Sequence, residues 1–259
     1  MKLVDWLSSG SALVGRGVED SRRAMSWMRH SLRGNRIAPP SSWERKHEQP
    51  PVLLIHGYLG TRGSLHVLQE RLSSLGHLVF TYRLGALHGG DIAESAAVIA
   101  RKVESIAAQT SLDRLDIVGY SMGGLVGLYY VKKMGGRRRV RRLVMLGTPA
   151  SGTWSALLGV AVAPFARAGL QLLPDSAFLR DLDQAPMPQN VQIVSIAGER
   201  DRLAPLNRTR LAGVQHLRVN TNHAGLLVDG EVADLLGEIL AAPERAAPKQ
   251  GFLARTDVD

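Results

Sequence analysis

The stretch Val118-Gly119-Tyr120-Ser121-Met122-Gly123-Gly124 reads G-x-S-x-G. Residues 114–118 before it form a short run typical of a strand, and residues 125–131 after it are apolar over the length of a buried helix. A nucleophile elbow requires this order of strand, sharp turn and helix. Gly119 and Gly123 would let strand and helix approach without Cβ clashes, while Ser121 would project above a sheet beside free helical N–H groups. The stretch therefore predicts a nucleophilic serine; the alternative is an ordinary turn.

The composition predicts one large folded domain. The chain has 259 residues, of which 45% are hydrophobic, enough for one α/β core with appendages. It has no cysteine, which excludes a thiol nucleophile, disulfides and thiolate metal sites. The sequence contains no metal-binding cluster, no G-x-G-x-x-G pattern and no P-loop, so we expect no cofactor.

The positive charge is unevenly distributed. The formal net charge is +9, and seven basic residues with no acid among them fall between positions 132 and 142: Lys132, Lys133, Arg137, Arg138, Arg139, Arg141 and Arg142. In a parallel α/β sheet this corner lies at the end opposite the catalytic face. The run predicts a solvated basic face. Contact with anionic lipid or nucleic acid is the alternative, although we expect no nucleic-acid partner.

Residues 1–48 are predicted to be a basic amphipathic appendage that ends in a linker. Val18, Met25, Met28 and Leu32 fall near one helical face, and three of the four tryptophans lie in this segment. Such a helix either docks on its own domain, which we expect, or makes peripheral contact with a membrane surface. Asp5 interrupts the first apolar stretch, and no run reaches transmembrane length, so we expect no signal peptide and a cytoplasmic protein.

The main domain is predicted over residues 49–242, followed by a disordered tail at 243–259. Apolar runs at 52–55, 78–82, 143–146, 190–197 and 214–219 join the strand before Ser121 in a mostly parallel sheet of about six strands flanked by helices. The first run leads into His56-Gly57-Tyr58-Leu59-Gly60. Gly57 permits an unusual turn that would aim the Tyr58 N–H at a developing oxyanion, and His56 would orient the loop. A βα turn without a catalytic role is the alternative.

Three motifs together resemble a known superfamily. HGYLG at 56–60, GYSMG at 119–123 and LGTPASGT at 146–153 are similar to elements of the α/β-hydrolases, in particular the bacterial lipases and esterases. The resemblance covers residues 50–241, although Ala150 stands where many relatives carry histidine. It implies an α/β-hydrolase fold, serine hydrolase activity on esters and a triad in the order Ser, Asp, His.

The acid and the base follow from this order. Asp201 lies just past a predicted strand and matches the acid of the family's G-x-x-D element, with Glu199 as the competing residue. His223 is the one histidine of eight that combines the correct chain order with a loop after the last strand. We therefore predict a Ser121, Asp201 and His223 triad, with the backbone N–H groups of Tyr58 and Met122 as the oxyanion hole.

Residues 154–188 depart from the alternation of strands and helices. The segment is apolar nearly all round and is broken by prolines, so we predict short helices that form a cap over the pocket. Leu59, Leu157, Leu158 and Phe165 are the predicted substrate-binding residues, with an internally packed helical pair as the alternative.

Two other functions remain compatible with the sequence. An acyltransferase would use the same triad with an alcohol as the acceptor. A protein with this fold could also lack catalysis and bind a lipid or a partner through its N-terminal segment. The complete set of predicted site residues argues against the second.

Overall fold

A parallel sheet forms the centre of the protein in a computed structural model, which describes residues 2–34, 49–82, 90–157, 167–243 and 255–256. Its strands are β1 (Val52–Ile55), β2 (Val79–Thr81), β3 (Leu115–Tyr120), β4 (Val140–Leu146), β5 (Gln192–Gly198) and β6 (Gln215–Val219). They are parallel throughout, in the order β2-β1-β3-β4-β5-β6. The predicted α/β fold with about six mostly parallel strands is confirmed.

The predicted disordered tail lies largely outside the described residues. Within it, a two-residue strand β7 (Arg255–Thr256) pairs antiparallel with β6.

Nine α-helices surround the sheet within the described ranges. They are α1 (Lys2–Ser31), α2 (His66–Ser74), α3 (Ile92–Thr110), α4 (Met122–Lys133), α5 (Arg167–Gln171), α6 (Ala177–Gln184), α7 (Leu206–Thr209), α8 (Gly225–Val228) and α9 (Gly230–Ala241). Short 3-10 helices span Arg62–Leu65 and Gly136–Arg138. Asp91 begins α3 by accepting a hydrogen bond of 2.7 Å from the Ala93 N–H, as its position before an apolar run predicts.

Two hydrophobic cores lie on the two faces of the sheet. Successive side chains of a strand point to opposite faces, so Leu53 packs with α3 and α4 on one side, whereas Leu54 packs with α2 and α9 on the other. All four residues of β1 are buried because both faces are covered, which explains its uninterrupted apolar sequence. The carboxyl ends of the strands converge at one edge, where the predicted site residues lie.

The basic run is only partly a solvated face. It lies at the amino-terminal end of β4, away from Ser121, but Arg142 is completely buried. Its guanidinium donates to the Leu240 and Ala242 carbonyls, both at 3.0 Å. These carbonyls end α9 and have no donor within the helix, so Arg142 supplies one. Beside it, Arg141 pairs with the buried carboxylate of Asp116. The two arginines are therefore structural, which corrects the prediction for this part of the run.

Helix α1 lies against the rest of the protein at its carboxyl-terminal half. The Thr61 hydroxyl donates to the Ser31 carbonyl at 3.0 Å, and the Gly63 N–H donates to the Gly34 carbonyl at 2.8 Å. The predicted linker, Pro39-Pro40-Ser41-Ser42, lies outside the described residues. None of the helices in the described ranges has both the length and the apolar character needed to cross a bilayer.

Candidate active site

Ser121 occupies the turn between β3 and α4. Its backbone has φ 53° and ψ −124°, a conformation that L-residues rarely adopt. The flanking glycines make this turn possible, because a Cβ on Gly119 would lie 2.5 Å from the Gly123 carbonyl oxygen. A Cβ on Gly123 would lie 2.4 Å from the Ile55 carbonyl oxygen. The two glycines thus let β3 and the start of α4 approach closely, and Gly123 also lies against β1. The strained turn presents Ser121 to the adjoining pocket.

Asp201 and His223 meet at the same edge of the sheet. Asp201 follows β5 and His223 follows β6, and the two side chains form a hydrogen bond of 2.6 Å between Oδ2 and Nδ1. The other carboxylate oxygen of Asp201 accepts hydrogen bonds from the Leu203 and Ala204 N–H groups, at 2.9 and 2.8 Å. These bonds fix the carboxylate with one oxygen toward the imidazole.

Glu199, the competing acid, is placed differently. Its side chain is exposed at the rim of the pocket, whereas Asp201 is only 5% exposed. Of the two candidate acids, Asp201 is the one that forms the described ion pair with His223.

Tyr120 is a site residue that the sequence reasoning missed. Its hydroxyl donates to the His223 carbonyl at 3.1 Å, and its ring centre lies 4.8 Å from that of the imidazole. Burial, and secondarily the charge of Asp201, raises the pKa of Tyr120 well above its usual value, so the hydroxyl remains a donor. The available signal was an aromatic residue directly before the predicted nucleophile.

Gly147 is a second missed residue, located directly after β4. Its φ is +53°, and a Cβ there would lie 3.0 Å from Asp201 Oδ2 and 3.1 Å from His223 Nδ1. The same Cβ would lie 2.6 Å from a methyl carbon of Leu226. The absence of a side chain at this position therefore makes room for the Asp201–His223 pair. The glycine that opens the GTPASGT motif was the available signal.

The predicted oxyanion loop adjoins the elbow. A Cβ on Gly57 would lie 3.0 Å from the Ser121 Cβ, and Tyr58 lines the same pocket as Ser121. Met122 is the first residue of α4, so its N–H has no acceptor within the helix. His56 is buried, its Nδ1 lies 3.0 Å from the Gly57 carbonyl oxygen, and burial lowers its pKa. His56 thus contacts the loop backbone rather than lining the pocket.

A pocket of about 970 Å³ opens at Ser121 and His223. Apolar lining comes from Tyr58, Ala156 and Leu172, while Arg200 and Arg202 add charge. Helix α1 also contributes to this lining, although the sequence predicted only that it docks on its own domain or contacts a membrane surface.

Two of the four predicted substrate-binding residues, Leu59 and Leu157, do not line the pocket. Leu59 and Leu157 are 37% and 48% exposed and are absent from the described lining, in which their chain neighbours Tyr58 and Ala156 take part. Leu59 has a φ of 52° and lies in the turn at Tyr58 and Leu59. Leu158 and Phe165 lie outside the described residues.

The described part of the predicted cap is split between two positions. Leu172 reaches the pocket, but α6 packs on α4 through stacked rings of Phe178 and Tyr129, whose centres are 5.6 Å apart.

Within the described ranges, no group of three or more histidine and carboxylate side chains is arranged to hold a metal ion.

The chain belongs to the α/β-hydrolases: residues 50–185, more than half of it, match the family model described as alpha/beta hydrolase fold. Among similar solved structures is a mature lipase from Bacillus licheniformis, BlEst2, with 17% identity, a TM-score of 0.63 and coverage of 78% of this chain and 94% of that one. Lipase B from Aspergillus fumigatus has 16% identity and a TM-score of 0.64, covering 80% of this chain and 58% of that one.

Phospholipase PlaB from Legionella pneumophila is also similar, with 11% identity, a TM-score of 0.63 and coverage of 75% and 60%. At these identities the solved structures establish the shared fold. Fold and family together support a hydrolase that resembles lipases and esterases.

Proposed function

We propose that the protein is a serine hydrolase that cleaves carboxylic esters through an acyl-enzyme. The observation that carries the proposal is the 2.6 Å hydrogen bond between Asp201 and His223 in a pocket that Ser121 also lines. A serine at a strained strand-to-helix turn, a histidine and a buried carboxylate are the groups that activate a hydroxyl nucleophile.

In the proposed mechanism, His223 takes the Ser121 proton as the hydroxyl oxygen attacks the ester carbonyl. Asp201 holds the imidazole in the required tautomer and stabilises the imidazolium that forms. The N–H groups of Tyr58 and Met122 stabilise the oxyanion, each contributing about 3 kcal/mol in comparable hydrolases. His223 then protonates the leaving alcohol, and water releases the acyl group by the same steps.

The proposed substrate is an ester with an acyl chain, as for a lipase or esterase. Support comes from the apolar lining contributed by Tyr58, Ala156 and Leu172, and from the lipases among the similar structures. Each buried methylene contributes about 0.8 kcal/mol, so kcat/KM is expected to rise with acyl length until the pocket is full.

The test combines active-site labelling with turnover. A fluorophosphonate is expected to label wild type at Ser121, and Ser121→Ala is expected to lose both labelling and hydrolysis of p-nitrophenyl esters. Ser74→Ala is the matched control, since Ser74 is an exposed serine on α2. Labelling at another serine would refute the assignment. An acyl transfer product that dominates over free acid when an alcohol is added would instead identify an acyltransferase.

Peripheral membrane contact stays a prediction, and we propose the outward side of α1 as its location. Val18, Met25 and Met28 on α1 are 48%, 62% and 57% exposed, Leu32 directly after the helix is 84% exposed, and exposed arginines lie between them. An exposed apolar stripe beside arginines suits an anionic lipid surface. Sedimentation with phosphatidylserine vesicles tests this, since Met25→Gln with Met28→Gln is expected to reduce binding. Equal sedimentation of variant and wild type would refute it.

A further inference from the structure

The inner face of α1 is part of the pocket wall. Gly17, Asp20, Ala24 and Trp27 all line the pocket that contains Ser121 and His223. Their spacing of three, four and three residues places them on one side of an α-helix. The outward stripe of the same helix begins at Val18, so the helix has one side toward the pocket and another toward solvent.

Helix α1 is tied to the two loops that carry the proposed acid and base. The Asn222 side chain, next to His223, donates to the Asp20 carbonyl at 3.3 Å. Arg200, next to Asp201, lies 3.3 Å from the Asp20 carboxylate.

A third contact of α1 is made with Asp229, the residue that follows α8. Arg23 donates to Asp229 at 2.8 Å, and Asp229 in turn accepts a hydrogen bond from the Thr221 hydroxyl. The hydrogen bonds and ion pairs described for Gly17–Gly34 do not reach residues 153–157 or 167–172, the described parts of the opposite wall. The helix is thus fixed to the histidine side of the pocket.

The mechanism of ester cleavage indicates which part of the substrate lies on the histidine side of the pocket. His223 must deliver its proton to the oxygen of the departing alcohol, so the alcohol moiety leaves from the side of Ser121 that His223 occupies. We propose that the inner face of α1 binds the alcohol moiety of the ester and limits its size, an inference that rests on the proposed function. The acyl chain then occupies the remaining lining, to which Ala156 and Leu172 belong.

Gly17 offers a direct probe of this wall. A Cβ placed there meets no atom within 4 Å, so a large side chain can enter open space at the pocket without displacing the fold. Gly17→Phe is compared with Gly17→Ala, which isolates the gain in helix propensity, and with Val18→Phe, which adds a phenyl ring on the outward side. Thermal unfolding of each variant establishes that it is folded.

The measurement uses two series of soluble esters. One series shares a single acyl group and varies the alcohol from methanol to branched alcohols, and the other shares a single alcohol and varies acyl length. Gly17→Phe is expected to lower kcat/KM progressively with alcohol bulk, by about tenfold at the largest alcohol, and by a constant factor across the acyl series. Val18→Phe is expected to follow wild type in both series, whereas Gly17→Ala, with its smaller side chain, is expected to show a weaker loss of the same kind as Gly17→Phe.

The outcomes separate the inference from the function beneath it. A loss that grows with acyl length would assign α1 to the acyl chain and overturn the proposal. A response to Gly17→Phe no different from that to Val18→Phe would remove α1 from the substrate altogether. If the wild-type protein shows no Ser121-dependent turnover of any ester, the proposed function itself is refuted, and this inference with it.

Discussion

Replacing Gly147 with alanine tests whether empty space beside the Asp201–His223 pair is necessary for activity. Two separate penalties follow from the structure. The φ of +53° is unfavourable for any residue with a Cβ, by about 1–2 kcal/mol. The new methyl group would also lie 3.0 Å from Asp201 Oδ2 and 3.1 Å from His223 Nδ1, closer than a carbon atom normally packs against either.

The expected effect on catalysis exceeds the effect on stability. Backbone strain alone lowers the melting temperature by a few degrees in a domain of this size, at about 2–4 °C per kcal/mol. Displacing the imidazole from its carboxylate is expected to reduce kcat by about 10- to 100-fold, equivalent to about 1.4–2.7 kcal/mol of transition-state stabilisation. KM for a small soluble ester should change little, because Gly147 does not belong to the pocket lining.

Gly213→Ala is the matched control. Gly213 also has a positive φ, of +72°, but a Cβ there meets no atom within 4 Å. Both variants should lose comparable stability from backbone strain, and Gly147→Ala should lose more because its methyl group also meets the buried Leu226. Only Gly147→Ala should lose kcat. The assay is steady-state hydrolysis of p-nitrophenyl esters alongside thermal unfolding. Equal kcat in the two glycine variants would refute the reasoning that the methyl group acts on the triad.

Further substitutions test the acid and the basic run. Asp201→Asn should reduce kcat by up to about 10⁴-fold because it favours the wrong imidazole tautomer, while Glu199→Gln should have a small effect in the same steady-state assay; the reverse would make Glu199 the acid. Replacing the arginines at 137–139 with glutamine should leave kcat/KM on an uncharged soluble ester within about twofold, since they lie far from Ser121, and a large loss would contradict this placement. Arg142→Leu should lower the free energy of unfolding in urea by about 3 kcal/mol, because it removes the donor to the buried end of α9 at the Ala242 carbonyl and leaves the Leu240 carbonyl with Arg141 alone; an unchanged midpoint would count against it.

The order of elements was predictable because each depends on local sequence. The uninterrupted apolar sequence of β1 indicates a strand that is buried on both faces. Asp91 is a residue type that commonly begins a helix, and it caps α3. The elbow was predictable for a similar reason, since Gly119 satisfies a steric need against the Gly123 backbone, within a few residues of Ser121. The contact of Gly123 with the Ile55 carbonyl oxygen, in contrast, is tertiary. The basic run was predicted less well. A buried Arg142 depends on α9 ending above it, and the two lie about a hundred residues apart in the chain.

The sequence by itself determined the α/β fold, the strained turn at Ser121, and the loops on which Asp201 and His223 lie, because periodicity, glycine spacing and chain order are local properties. Only the tertiary structure decided which groups surround them. The contact of Tyr120 with the imidazole, the place of Gly147 beside the Asp–His pair and the position of α1 along the pocket each bring together residues from separate parts of the chain. Such contacts depend on how helices and loops pack against the finished sheet, and no local pattern in the sequence specifies that packing.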